Sequence, residues 1–514
     1  MQECQARTYK MRTFETRISI DEETDQTLLK CASLFAHVEH KLFADYSRGE
    51  KLTDLKNSYL STYNITARHF NGIRITLEGK IDSCIERQKL QREELTYKIH
   101  SLEQELKRKK DKFVLHQKKR RLAHLKHKLS QLEQDIQNKK VSLTFGSNKL
   151  FHAQFAPEEN GYTSHEEWSK EWRVKRSSHL FFIGSKDETS GNQSASLFQR
   201  EDGTFDLRIR LPDALGQGKY LTLSQIGFSY GKQEIIKSLE RGNAISWRMI
   251  RDNKGWRLFA TTEVIEEEPL TLDTLGAIAI DINVDHLAVV ELDRHGNPIH
   301  KTSYPYQVHN KSKHQIRAQI GRISKEIVHH AKDCKKPIIV EKLDFIKKRS
   351  TLREHGPKVA RKLSSFTYSN ILTHLQSRAG KERVKVHHIN PAYTSLIGKV
   401  KFAKRYGLST HHSASLVIGR RHFGYSERPT SATGSIPDGK GYHVALSLPV
   451  RNRNKHVWSF WGRLSKKIPA ALRTHFRMAK CQSTDTRKTA CVTDNLPEVR
   501  GETPLCESLE ELLV

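Results

Sequence analysis

Two short apolar strands, each ending in a carboxylate, restrict this chain more than any other feature. The first is Ala277-Ile-Ala-Ile-Asp281-Ile-Asn-Val284, followed by His286-Leu-Ala-Val-Val-Glu-Leu-Asp293 and an Arg-His-Gly-Asn-Pro turn. The second is Pro337-Ile-Ile-Val-Glu341-Lys-Leu-Asp344-Phe345. An acid set in an apolar strand is costly unless a cation or hydrogen bonds stabilise it. Two such acids on separate strands point to a pair converging on a divalent metal, the arrangement with which many enzymes cut phosphodiesters. The competing reading is two structural acids, each satisfied on its own.

The charge balance fits a polyphosphate partner. There are 88 Lys and Arg against 58 Asp and Glu, a formal charge of +30, far beyond what solubility requires. No apolar run approaches the ~18–20 residues of a transmembrane helix. The first twenty residues lack the apolar core of a signal peptide, so an intracellular location is expected. The seven cysteines (4, 31, 84, 334, 481, 491 and 506) form no C-x-x-C pair. Neither a disulfide framework nor a zinc ribbon can be read from them.

Along the chain, residues 1–20 hold one alternating strand, Thr13-Phe-Glu-Thr-Arg-Ile-Ser-Ile20, expected to join a barrel formed later in the sequence. Residues 21–140 carry a helical pattern whose second half has heptad seams: Leu95, Ile99, Leu102, Leu106, then Leu122, Leu125, Leu129, Leu132, Ile136. An antiparallel coiled-coil hairpin accounts for the two seams. Its tip is cationic, with Lys107, Arg108, Lys109 and Lys110 on one side and Lys118, Lys119, Arg120 and Arg121 on the other. The tip is either a phosphate-binding prong or a solvated charge run. Residues 141–270 turn to β character, with hairpin signals at Asp202-Gly203 and Asp252-Asn-Lys-Gly255, the pattern of a small β-barrel. Arg208 and Arg210 alternate with apolar residues, so one face of that strand is core and the other cationic. Trp168 and Trp172 stand four apart on a helix, placed for stacking on bases or for plain packing.

Residues 273–425 read β-β-β-α-β-α-β-α, with strands at 277–284, 286–293 and 298–304 and a helix carrying Ile316, Ile320, Ile323 and Ile327. The Glu341 strand follows, then a basic helix near 354–380, a strand over 383–389 and a helix near 410–423. This is the order of the ribonuclease H-like fold, in which the first and fourth strands are neighbours, so Asp281 and Glu341 are expected to face each other. Residues 426–514 form a C-terminal extension with one helical piece near 457–477 and an expected disordered tail. The fold class is therefore multidomain α+β: a ribonuclease H-like α/β domain, a helical coiled-coil recognition hairpin and a small β-barrel.

With these residues in view, the chain resembles the TnpB proteins of insertion sequences, RuvC-like nucleases related to compact type V CRISPR effectors. GAIAIDINVDHLAVVELDRHGNP matches the first RuvC motif and KPIIVEKLDFIKKR the second, and HHINPAYTSLIGKVKFAKRYGLSTHHSASLVIGRRHFGYSERP occupies the place of the third. The resemblance covers most of residues 13–477. It implies a transposon-associated, RNA-guided DNA endonuclease of the bacterial cytosol or nucleoid, with a guide RNA, a double-stranded DNA target and Mg²⁺ or Mn²⁺. Two departures stand out. The family's four-cysteine zinc ribbon is replaced by Leu396-Ile-Gly-Lys-Val-Lys-Phe-Ala-Lys-Arg405, so no structural zinc is expected. Lys399, Lys401, Lys404 and Arg405 are then the candidates for holding nucleic acid there. The family's third acid falls at about His411, with His412 beside it, and no Asp occurs between 345 and 437. Two outcomes stay open. A metal-binding Asp281–Glu341–His411 site retains cleavage; a weakened one leaves a nuclease-inactive, RNA-guided DNA-binding repressor. An unguided RuvC-like nuclease is a third reading.

Overall fold

The computed structural model describes residues 9–471 apart from 108–110, 187, 266, 284, 309, 343–364, 429–432, 438–442 and 470. The expected tip residues Arg108, Lys109 and Lys110, the Asp344 and Phe345 of the second motif, and the C-terminal tail lie outside the described residues. The chain divides into two compact units, Met1–Glu266 and Glu267–Val514.

In the first unit, strand β1 (Tyr9–Ile18) pairs antiparallel with β7 (Gly255–Ile265), which pairs with β6 (Ile245–Asp252), which pairs with β2 (His179–Phe182). A second sheet holds β3 (Ala195–Gln199), β4 (Phe205–Arg210) and β5 (Tyr220–Ile226). The expected barrel is thus hydrogen-bonded as two sheets rather than one ring, and their inner faces share a core that includes Phe182, Leu207, Trp247 and Leu258. The physical reason lies at the corner after β2. Buried Asn192 donates its side-chain amide to Phe182 O and Ile245 O, at 3.1 and 3.0 Å, and accepts from the amides of Ser194 and Ala195. A side chain, not a strand ladder, joins the sheets there.

Helices α1 (Glu22–Ser47) and α3 (Ala67–Leu106) pack into the same core through Leu28, Phe35, Phe70 and Leu77. At 40 residues α3 is about 60 Å long, and it returns as α4 (Lys112–Gln137), capped by Asp111. Leu95, Ile99 and Leu102 are buried, whereas Leu122, Leu125, Leu129, Leu132 and Ile136 of α4 are only half-buried. Two helices alone cannot surround a seam. The hairpin adds ion pairs across it, Lys126 to Glu103 at 2.7 Å and Lys118 to Glu105. Trp168 packs rather than projects: it is buried, stacked on Trp172, and donates to Leu150 O at 2.7 Å.

The second unit is built on a five-stranded sheet, β10-β9-β8-β11-β12, comprising β8 (Ala277–Ile282), β9 (His286–Leu292), β10 (Pro298–Pro305), β11 (Ile338–Glu341) and β12 (Val386–Ile389). Numbered within the sheet this is 3-2-1-4-5, antiparallel through the first three strands and parallel through the last two junctions. It is the ribonuclease H-like order expected from the sequence. β12 starts later than the expected 383, because the amide of Val384 still bonds Ala379 O at the exit of the preceding helix.

Strand alternation sorts the residues between two layers. Ile278, Ile280, Ile338 and Val340 face α8 (Lys313–Asp333) and α9 (Ser365–Lys381). Ala277, Ala279 and Ile339 face α10 (Thr410–His422). Small residues let α10 come close: Ser415 Oγ donates to Ala279 O at 2.8 Å, and a Cβ on Gly419 would lie 2.6 Å from Leu292. The C-terminal extension belongs to this layer. Ile436 and Val444, on the hairpin Thr433–Pro437 and His443–Ser447, share its core with Phe460, Trp461, Leu464 and Ile468 of a helix over 457–469. The expected domain end near 425 therefore does not coincide with a packing boundary.

Candidate active site

β8 and β11 run parallel with Val340 opposite Ile280. One residue further, the same offset sets Glu341 beside Asp281 on strands about 4.8 Å apart. Asp281 shares parity with Ala279 and Glu341 with Ile339, so both carboxylates lie on the α10 face at the C-terminal edge of the sheet. His411 is in the first turn of α10, where Ser409 caps the helix by accepting from the His412 amide at 3.2 Å. His411 Nδ1 is 3.2 Å from Asp281 Oδ2. His412, the next residue, is turned about 100° round the helix. Its Nε2 meets Thr302 O and Ser303 Oγ at 3.2 and 3.3 Å. Of the two expected histidines, His411 reaches Asp281 and His412 turns to β10 instead.

Supporting contacts hold these groups in place. Asn283 Nδ2 donates to Asp281 Oδ2 at 3.1 Å and Thr394 Oγ1 to Glu341 at 2.6 Å. The His286 ring stands edge-on to His411, centroids 5.0 Å apart, and its Nδ1 meets Asp285 at 2.6 Å. Burial first, and then the negative charges of Asp281, Glu341 and Asp285, raise the Tyr368 phenol to about 12. Tyr368 therefore stays neutral beside them. Sequence reasoning missed Asn283, His286, Thr394 and Tyr368. The parity of Asp281 with Asn283 was a usable signal; the other three come from turns and helices whose placement only the fold decides.

Positive charge also enters the site. Burial pushes the Lys399 ammonium below its ordinary pKa, while the charge of Asp281 pulls it back up. Burial likewise lowers Arg421, against the charges of Glu341 and Glu427; its guanidinium donates to Asn390 O and to Ala392 O. Lys399 was expected on a cationic strip for nucleic acid. Instead, residues 394–406 form a helical run containing a π-turn, Gly398–Phe402, pressed onto α10. A Cβ on Gly398 would lie 2.6 Å from the backbone of Ser413. Lys401 is spent in a buried network with Glu427, which also takes Arg420 at 2.5 Å. Lys404 and Arg405 remain exposed.

The other expected cationic residues divide in the same way. Lys107, Lys119, Arg120 and Arg121 are exposed, whereas Lys118 pairs with Glu105. Arg210 is committed to Asp213 at 2.5 Å and to two backbone carbonyls. Exposed Arg208 lies between the exposed rings of Phe198 and Tyr220, 5.0 Å from each centroid.

No protein-family model and no curated protein matches the chain. Among solved structures, Thermus thermophilus RuvC in complex with a Holliday junction substrate is 15% identical, covering 29% of this chain and 94% of that one at a TM-score of 0.23. A second Thermus thermophilus RuvC structure is 14% identical, covering 29% and 93% at a TM-score of 0.23. A CRISPR-Cas12f ternary complex is 12% identical and covers 77% of this chain and 81% of that one at a TM-score of 0.26. The sheet order 3-2-1-4-5 is that of the ribonuclease H-like fold.

The donor set of this site, two carboxylates and an imidazole, suits Mg²⁺ or, with its nitrogen, Mn²⁺. The ligand atoms of Asp281, Glu341 and His411 are not among the groups of three that lie within 4.8 Å of one another in the described residues.

Proposed function

We propose that this chain is a transposon-associated, RNA-guided DNA-binding protein whose ribonuclease H-like unit cleaves DNA with divalent metal ions. The observation that carries the reading is the in-register placement of Asp281 and Glu341 on one face of neighbouring parallel strands, with His411 3.2 Å from Asp281. Divalent ions there would stabilise the charge that develops on a phosphodiester in transit. Asp281 and Glu341 would hold them, Asn283 and Thr394 would fix the carboxylate rotamers, and neutral Tyr368 would add no competing charge. Guide RNA and target DNA are inferred from the resemblance to TnpB and from the charge of +30. The exposed hairpin-tip cations and the Phe198–Arg208–Tyr220 stack would grip the backbone and unpaired bases while base pairing reads sequence.

One observation favours a second reading, a nuclease-inactive guided binder. His411 stands where a third acid would add negative charge, and the Lys399 ammonium, close enough to feel the charge of Asp281, opposes a divalent cation. Two experiments test the readings. RNA that co-purifies with the protein and maps next to its own gene supports guidance, and its absence favours an unguided nuclease. Cutting of matched plasmid with Mn²⁺ supports the nuclease; guided binding without cutting in any divalent ion supports the repressor.

A further inference from the structure

A second cluster stands at the opposite end of α10. His422 is the last residue of that helix; at 1.5 Å per residue it is about 16 Å from His411. It meets Asp273, in the turn that leads into β8, and His387 of β12. Strand parity explains the meeting. His387 is opposite Ile339 and faces α10, whereas His388 faces the other layer and bonds Gln376 at 2.8 Å. The ring nitrogens His422 Nε2 and His387 Nε2 lie 2.9 and 3.2 Å from the same oxygen, Asp273 Oδ1, with ring centroids 4.4 Å apart. All three ligand atoms lie within 4.8 Å of one another.

His422 Nε2 is hydrogen-bonded to Asp273 Oδ1, while His387 Nε2, shut off from solvent and 3.2 Å from the same oxygen, is not aligned for a hydrogen bond, a costly state for a polar atom. A metal takes the lone pairs of neutral imidazoles and an ionised carboxylate, and an ion among these three atoms would give His387 Nε2 a partner. Bonds of 2.0–2.1 Å in a tetrahedral site put ligand atoms about 3.3 Å apart, close to the separations found.

We propose that Asp273, His387 and His422 bind a first-row divalent ion of the zinc class, with the fourth position left to solvent or a ligand. This is not the four-cysteine ribbon, whose absence the sequence made plain. It is a clip that ties the start of β8, the edge strand β12 and the C-terminal end of α10 together, so that the helix carrying His411 is anchored at its far end. The other close group, Glu291, His330 and Cys334, is a weaker candidate because Lys336 already meets Glu291 at 2.6 Å. The proposal stands whether or not the chain cuts DNA.

The test uses the full chain carrying Asp281→Ala and Glu341→Ala, stripped with chelator and titrated with Co²⁺. One Co²⁺ per chain with the visible bands of a tetrahedral ion is expected, displaced by Zn²⁺. Saturation at about 100 times the Kd should raise the thermal midpoint by roughly 5–10 °C. Adding His387→Ala, or the milder His387→Asn, should abolish both effects, whereas Cys334→Ser should leave them intact. Failure to bind Co²⁺ in that background, or binding that survives His387→Asn, would overturn the proposal.

Discussion

At the residue scale, the balance of charge around Asp281 decides what the site can do. Alanine at Asp281 or Glu341 is expected to abolish cutting while leaving guided DNA binding within a few-fold, measured by plasmid cleavage and filter binding. Removing one member of a carboxylate pair relieves repulsion and should not unfold the unit. Lys399→Gln removes a half-buried cation that competes with metal, so the Mn²⁺ concentration for half-maximal binding should fall several-fold; an unchanged value would remove Lys399 from the charge balance. Asn283→Ala should cost about 10-fold or more in metal affinity, the usual weight of a group that orients a ligand. Asp281 and Glu341 were legible because an acid inside an apolar strand is conspicuous in a sequence. The choice between His411 and His412 was not, since it depends on the angle at which α10 leaves its Ser409 cap.

At the scale of elements, the hairpin and the helical run show what charge patterning can and cannot say. Lys119 and Arg120 are exposed, and replacing each with glutamine should lower the slope of log K against log salt by roughly 0.7–0.9 per lost phosphate contact. Lys118→Gln should instead weaken the hairpin, because Lys118 spans it to Glu105. The run at 394–406 misleads in sequence: its lysines read as a cationic strip, yet Ile397, Phe402 and Ala403 are buried and Lys401 is locked to Glu427. The pattern of bulk was present; Gly398, which permits the close approach to α10, was the clue left unread. Gly398→Ala should destabilise the second unit by about 1–3 kcal/mol through overpacking, seen as a lower denaturation midpoint. The β-β-β-α-β-α-β-α order was readable because each strand is a short apolar run between turn signals. The two-sheet form of the first unit was not, because the pairing partners of its strands, and the Asn192 bridge between the sheets, leave no mark in the alternation pattern.

At the scale of the whole molecule, stability should depend on pH through buried histidine in the first unit. Burial holds His69 down to about 4, while its Nε2 contacts Arg210 O at 2.9 Å. With the folded pKa below the unfolded one, its contribution is complete above about pH 6.5 and is lost as pH falls towards 4. Replacing His69 with glutamine should make that part of the stability profile shallower, with His40 and His179, also held down to about 4, carrying the rest, measured by thermal unfolding across the range. Truncation after residue 432 should unfold the second unit, since it strips Ile436, Val444, Phe460, Trp461 and Leu464 from the α10 core. Asp281 and Glu341 are proposed to form a metal-dependent DNA-cutting site. Its most direct measurement is cleavage of a guide-matched plasmid by the purified protein–RNA complex in Mn²⁺, compared with Asp281→Ala and Glu341→Ala proteins that still bind the target. Cutting by the native complex alone is expected; undiminished cutting by either variant, or no cutting by the native complex in any divalent ion, would contradict it.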